Sequence, residues 1–172
     1  DVVDLSSLEI GKMQFLFANN NAVAICRNVV DTVEKIKQTS ASVLFQTSLE
    51  NLEIYTDEAR LQQLLINLLI NATKFTTEGS ITLSLEKQSE EVALFAVSDT
   101  GCGIAPEKQG AIFNRFEKLN ENAQGSGLGL SICQLIVERF GGKIWIDPEY
   151  KNGSRFLFTH PIVSTSRKEV SE

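Results

Sequence analysis

The sequence predicts an α/β (α+β) fold: a two-layer sandwich in which a mixed β-sheet is covered on one face by about three helices. Three observations carry this reading. Ile81, Leu83 and Leu85 alternate with polar residues, and Val92 to Val97 is apolar on both faces, so a half-buried strand is followed by a central one. Leu61, Leu64, Leu65, Leu68 and Leu69 form one broad apolar stripe at helical spacing. Helical and hairpin-like segments interleave along the chain instead of falling into separate blocks. With 172 residues, 42% apolar and 22% charged, the chain has the size and composition for one globular core.

The elements follow in order. Val2, Leu5, Leu8 with Ile10, and Met13 recur as the stripe of a helix facing a partner helix, ending near Gly11-Lys12. Gln14 to Ala18 predicts a short strand. Asn19-Asn20-Asn21 caps a helix running to about Gln38 through Val23, Ile25, Val29, Val30, Val33 and Ile36. Val43 to Thr47 and Leu52 to Tyr55 predict two strands, and Asp57 stands where the N-cap of the Leu-rich helix belongs. The strand pair after Gly79 turns at Ser89-Glu90. A polar stretch from Asn114 to Ser126 precedes a helix from about Gly127 to Gly141-Gly142, where glycine suits a helix stop. Ile144 to Ile146 and Phe156 to Thr159, joined by the turn residues Asn152-Gly153, close the sheet.

Composition excludes several classes. A net charge of -6 argues against a nucleic-acid binder, which needs clustered Lys and Arg to neutralise phosphates. Cys26, Cys102 and Cys133 are odd in number and form no CxxC pair, which supports neither a disulfide framework nor a structural zinc site and suits a reducing cytoplasm. No apolar run reaches the ~18 residues of a membrane span, and Asp1-Val2-Val3-Asp4-Leu5 does not resemble a signal peptide. No membrane contact is expected of these residues. A chain opening on Asp1 within an amphipathic pattern reads as part of something longer.

Four segments carry chemistry. Asn67 and Asn71 lie four apart on the Leu-rich helix, so both amides project from one side. An Asn oxygen is a suitable hard ligand for Mg²⁺, which takes a few oxygens plus phosphates and waters; a pair of polar residues bordering the core fits equally well. Lys74 and Phe75 follow, offering a phosphate contact and a flat apolar surface for a base. Asp99-Thr100-Gly101-Cys102-Gly103-Ile104 begins at the end of the buried strand, with Asp99 on the face of Phe95 and Val97. A carboxylate there is costly unless paired, and an adenine amino group would be a fitting donor. Gly125-Ser126-Gly127-Leu128-Gly129-Leu130 opens a helix, placing backbone amides and a positive helix end where phosphates can sit. The spacing is GxGxG after a polar loop, so the dinucleotide-binding context fails, and no P-loop or HRD/DFG set occurs. Asp-Thr-Gly also opens the aspartic-protease motif, which needs two carboxylates sharing a proton; the flanking Cys102-Gly103 speaks against it.

The order Asn67-Leu68-Leu69-Ile70-Asn71-Ala72, Asp99 to Ile104, Ile112-Phe113-Asn114-Arg115-Phe116 and Gly125 to Leu130 resembles the N, G1, F and G2 boxes of bacterial sensor histidine kinases. The likeness extends through Asp57-Glu58-Ala59-Arg60-Leu61, Gly141-Gly142-Lys143-Ile144-Trp145 and Gly153-Ser154-Arg155-Phe156, so it covers nearly the whole chain. It implies a Bergerat-type ATP-binding fold of the GHKL superfamily, with ATP and Mg²⁺ as cofactors. By similarity, Asn71 coordinates Mg²⁺, Asn67 assists at the phosphates, Lys74 touches a phosphate and Phe75 packs beside the base. Asp99 accepts from the adenine amino group, Ser154 places a hydroxyl near it, and Gly101, Gly103 and Ile104 line the base pocket. Gly125, Gly127, Leu128, Gly129 and Leu130 cradle phosphates. Glu117 to Ser126 resembles the ATP lid, with Lys118 offered to the γ-phosphate.

The resemblance also implies an organisation. Residues 1–13 would be the tail of the dimerisation and phosphotransfer helix, 14–163 the catalytic domain and 164–172 a polar tail. The acceptor histidine would lie upstream, on the hairpin through which the full protein dimerises, with a response regulator as the downstream partner. His160, the sole histidine, would be structural. Related chaperone, gyrase and mismatch-repair ATPases place a Glu at the position of Asn67 as a base for water. An amide cannot accept that proton, so slow hydrolysis is expected while transfer to a neutral imidazole stays possible. Two rivals remain: another branch of the superfamily, such as an anti-sigma-factor serine kinase or stand-alone ATPase, and a degenerate module that no longer uses ATP. Cys102 departs from the Asn, Thr or Lys more usual in the G1 box; a small residue between glycines accounts for it, and a redox-sensing role is the sharper alternative.

Overall fold

The computed structural model describes residues 14–101, 129–150 and 153–162. The helix expected over residues 1–13, the lid, the F box and the polar tail therefore lie outside the described residues.

The described residues begin with β1 (Ala18–Asn21), α1 (Ala22–Ile36), β2 (Ser42–Thr47), β3 (Glu53–Thr56) and α2 (Glu58–Phe75). They continue with β4 (Ser80–Ser89), β5 (Val92–Asp99), α3 (Gly129–Phe140), β6 (Ile144–Ile146) and β7 (Ser154–Pro161). Five strands form one mixed sheet in the order β2-β4-β5-β7-β6, so β5 is central, as its two-sided apolar run requires. The β2 and β4 pair is parallel and the other three pairs are antiparallel. β1 and β3 stand apart as a two-stranded antiparallel sheet.

The three helices of the described residues cover the same sheet face. Val43, Ile81, Leu83, Leu85, Phe95, Val97, Phe156 and Phe158 point into this core, where they meet Val29 and Val33 of α1, the five leucines of α2, and Ile132, Ile136 and Val137 of α3. Each fully buried leucine contributes about 1.5–3 kcal/mol. The opposite face is open, with a groove of about 450 Å³ lined by Thr82, Ser84, Leu94, Ala96, Arg155 and Leu157 among others. No helix among the described residues is long and apolar enough to cross a membrane.

Several boundaries differ from the sequence reading, and two of the differences have a clear cause. The first strand is Ala18–Asn21 instead of Gln14 to Ala18, because residues 14–17 are held by side chains and not by a strand partner. Leu16 N donates to Asp57 Oδ2 at 2.6 Å, while Phe15 and Phe17 stack at 5.8 Å and both meet Phe140 edge-on. α1 stops at Ile36, which is exposed, because Lys37 takes an extended conformation and its ammonium bonds the Ala41 carbonyl at 2.5 Å, turning the chain into β2. The other capping expectations hold: Asn21 Oδ1 accepts from Val23 N at 3.1 Å and Asp57 Oδ1 from Arg60 N at 3.0 Å. At the far end of α3, the Gly141 and Gly142 amides close the last turn onto Glu138 and Val137.

Candidate nucleotide site

The sheet topology sets Asp99 at the end of its central strand, between β4 and β7, with its side chain on the helix-covered face beside Val97 and Phe95. The residue is 3% exposed. Its Oδ1 accepts from Gly101 N at 2.9 Å and from Ser154 N at 3.2 Å. Among the described residues both of these backbone bonds fall on Oδ1, so Oδ2 would be the oxygen to meet a ligand's donor. Burial raises the Asp99 carboxyl above the usual carboxylate range; the Gly101 and Ser154 amides and the nearby Thr76 hydroxyl pull it back. An incoming N–H would offset that desolvation.

Two close approaches build this corner. A Cβ on Gly101 would collide with the Phe75 carbonyl oxygen and stand 2.7 Å from Thr76 Oγ1, so glycine lets the end of β5 press against the last turn of α2. Gly153 sits at φ +146° with its backbone against Asp99; a Cβ there would collide with the Asp99 carbonyl oxygen and lie 2.9 Å from Oδ1. Ser154, expected to bring a hydroxyl near Asp99, bonds the carboxylate through its backbone amide. β-Sheet register explains this, because Ser154 pairs directly with Asp99.

Thr76 is the residue the sequence reading missed. It is fully buried at the end of α2, and Thr76 Oγ1 finds no hydrogen-bond partner among the described residues. It stands near enough to Asp99 to favour the charged carboxylate, yet short of a full hydrogen bond. The run Lys74-Phe75-Thr76-Thr77 offered the signal, a hydroxyl at the end of a helix carrying the two amides.

α2 carries Asn67 and Asn71, each half-buried, with Phe75 half-buried and Lys74 exposed on the last turn. Behind Asn67 stands Cys133 of α3. Burial pushes the Cys133 thiol up to about 12, against the pull of the Asn67 side chain, and its Sγ donates to the Leu64 carbonyl at 3.8 Å. Gly129 begins α3, and the Leu130 side chain is buried in the core. Gly103, Ile104, Lys118, Gly125, Gly127 and Leu128, with Cys102, lie outside the described residues. Among the described residues no three His, Cys, Asp or Glu side chains gather as a metal cluster. His160 is 1% exposed and bonded at both nitrogens, so it belongs to the frame, as expected.

Comparison with known proteins points the same way. The profile of the histidine kinase-, DNA gyrase B- and HSP90-like ATPases matches residues 56–164. The adaptive-response sensory kinase SasA of Rippkaea orientalis is 30% identical over 166 residues, which is 94% of this chain and 42% of that protein. The circadian input-output histidine kinase CikA of Synechococcus elongatus is 34% identical over 169 residues, 94% of this chain and 22% of that protein. The chain thus spans less than half the length of either relative. Among solved structures, full-length ShkA in complex with AMPPNP superposes with a TM-score of 0.82 at 28% identity, covering 93% of this chain and 34% of ShkA. The nucleotide-free catalytic domain of the histidine kinase ThkA gives 0.78 at 33% identity, over 89% of this chain and 99% of that one. ThkA has also been solved with the response regulator TrrA, where the match is 0.76 at 30% identity over 94% of this chain and 47% of that one.

Proposed function

The chain belongs to the histidine kinase-, DNA gyrase B- and HSP90-like ATPase family, and from that premise we propose that it is the ATP-binding catalytic domain of a two-component sensor histidine kinase. It donates the γ-phosphoryl group of ATP to a histidine on a dimerisation hairpin, which passes it to a response regulator. One observation supports the reading: a buried carboxylate, Asp99, is held by two backbone amides on Oδ1, and the adenine amino group is the donor assigned to Oδ2.

Around it the roles distribute as follows. Asp99 takes the adenine amino group, with Gly101, Gly103, Ile104 and Ser154 shaping the base pocket and Phe75 packing beside the ring. Lys74 and Lys118 meet phosphates, and the backbone of Gly125, Gly127, Leu128, Gly129 and Leu130 receives them. The donor set suits Mg²⁺ better than a metal that needs a carboxylate or thiolate cage: Asn71 offers an amide oxygen, and the nucleotide's own phosphates supply the remainder. When bound, that ion neutralises charge developing on the phosphates. Asn67, one turn before, assists at the phosphates without being able to take a proton. Water is therefore poorly activated, while a neutral imidazole is already nucleophilic, and positioning supplies most of the rate enhancement. His160 cannot be the acceptor, because it is buried with both nitrogens engaged. The acceptor belongs to the kinase's hairpin, in a homodimer, and the domain works in the cytoplasm.

The test is transfer. Incubated with γ-labelled ATP, Mg²⁺ and the hairpin of its own kinase, the domain should place an acid-labile phosphoryl group on the hairpin histidine. A folded hairpin that acquires no label would overturn the assignment. Asn67→Glu should raise ATP hydrolysis in the same assay while lowering transfer; unchanged hydrolysis would remove the argument from the amide.

A further inference from the structure

Thr76 presents an unusual combination. The residue is 0% exposed, yet Thr76 Oγ1 has no hydrogen-bond partner among the described residues, a condition that is costly for a buried polar atom. Its backbone is not free to relieve this: the Thr76 carbonyl accepts from Thr39 Oγ1 at 2.5 Å, and the next carbonyl, Thr77, accepts from Ser40 Oγ at 2.7 Å. The anchoring loop pins the end of α2 with the hydroxyl turned inward. There it borders the notch that only glycine at position 101 leaves open, beside the half-engaged Asp99 carboxylate.

A carboxylate oxygen and a hydroxyl lie side by side in a buried corner. The carboxylate only accepts, whereas the hydroxyl can donate one bond. Their complement is a ligand edge with an amino group next to an unprotonated ring nitrogen. Resting on the ATP reading above, we propose that Thr76 is a specificity-determining residue of the base pocket: its hydroxyl donates, across at most one water, to the ring nitrogen adjacent to the amino group held by Asp99. A purine carrying a carbonyl and a ring N–H on that edge presents the reverse pattern. It leaves the Asp99 carboxylate facing an oxygen.

The discriminating ligand is 1-deaza-ATP, which keeps the amino group but replaces that ring nitrogen with C–H. Calorimetric titration of the chain with both nucleotides, for the wild type, Thr76→Val and Thr76→Ser, separates the possibilities. Wild type should bind ATP roughly five- to tenfold more tightly than 1-deaza-ATP, as one net hydrogen bond allows. Thr76→Val should weaken ATP by a similar factor while leaving 1-deaza-ATP unchanged, and Thr76→Ser should recover most of the loss. Without nucleotide, Thr76→Val should unfold at or above the wild-type temperature, since it removes an unsatisfied buried hydroxyl. Equal weakening of both nucleotides would show that the hydroxyl acts through Asp99 or the fold, and would overturn the proposal. So would a wild type that does not distinguish them, whether or not the variants fold. A wild type that binds no adenine nucleotide would instead bring down the ATP reading on which the proposal rests.

Discussion

His160 is held between a carbonyl, which can only accept, and a hydroxyl, which can donate or accept. The Pro161 carbonyl, 2.8 Å from Nδ1, can only accept, so Nδ1 carries the proton and Nε2 accepts from the Thr56 hydroxyl at 3.0 Å. A protonated ring would oblige the Thr56 hydroxyl to turn and accept instead, and burial, opposed by the Pro161 carbonyl, depresses the imidazole to about 4. Because the folded value lies below the ordinary ~6.5, the stabilisation is fully present above that pH and is lost as pH falls from there towards about 4. Urea unfolding at pH 7 and pH 4.5 should differ by about 2–3 kcal/mol from this residue. His160→Gln should flatten that part of the profile; an unchanged slope would place the acid sensitivity elsewhere. Asp99 runs the other way. Its folded value is raised by burial, so its contribution to stability is present at low pH and lost as pH rises through the folded value. Asp99→Asn should consequently unfold no lower than wild type at pH 7 without ligand, while losing nucleotide. At this scale the sequence was legible where a residue type met a periodic pattern: Asp99 on the apolar face of a strand could be read as a buried acceptor. The partners of His160 and the solitary Thr76 hydroxyl could not be, because Thr56 lies 104 residues from His160 and an unsatisfied atom exists only in three dimensions.

Asp57 shows what an element adds. As the N-cap of α2 it was evident from its place before a helical stripe, and its Oδ1 bonds Arg60 N as caps do. Its second oxygen takes Leu16 N, 41 residues away, and so ties residues 14–17 to the start of the helix that carries Asn67 and Asn71. The approach is reinforced by Phe15, over which the guanidinium groups of Arg139 and Arg60 lie at 4.7 and 5.8 Å. This double use explains the misplaced first strand: hydrophobic residues at 15–17 suggested extended pairing, but their backbone is engaged by a side chain. Asp57→Ala should cost about 2 kcal/mol, roughly the loss of a cap plus one charge-assisted bond. Asp57→Ser, which can still cap the helix with its single oxygen, should recover only part of that in denaturant unfolding. Full recovery would mean that the Leu16 bond contributes nothing. Deeper in α2, Leu65→Ala should cost about 2–5 kcal/mol, since its side chain is fully buried among the three helices and the sheet.

At the scale of the molecule, strand order is what makes the site. With β5 in the middle of β2-β4-β5-β7-β6, its last residue is flanked on both sides and roofed by helices, so Asp99 is buried with no ion-pair partner among the described residues. The helix-interleaved pattern and the central position of β5 followed from periodicity and two-sided apolarity. The parallel pairing of β2 with β4, and the separation of β1 and β3 into their own sheet, did not. Each depends on pairings across a helix, which local sequence does not encode. The fold therefore delivers a buried acceptor whose backbone donors, among the described residues, both fall on Oδ1. Thermal unfolding of the chain with and without Mg²⁺ and ATP, beside Asp99→Asn, tests this most directly. Nucleotide at ~100 times its dissociation constant should add ~2.7 kcal/mol, a rise of roughly 5 to 11 °C in the wild type. The rise should disappear in Asp99→Asn, whose Oδ1 can keep both backbone bonds while its amide offers a donor where an acceptor is needed. An equal rise in both proteins, or none in the wild type, would contradict the account.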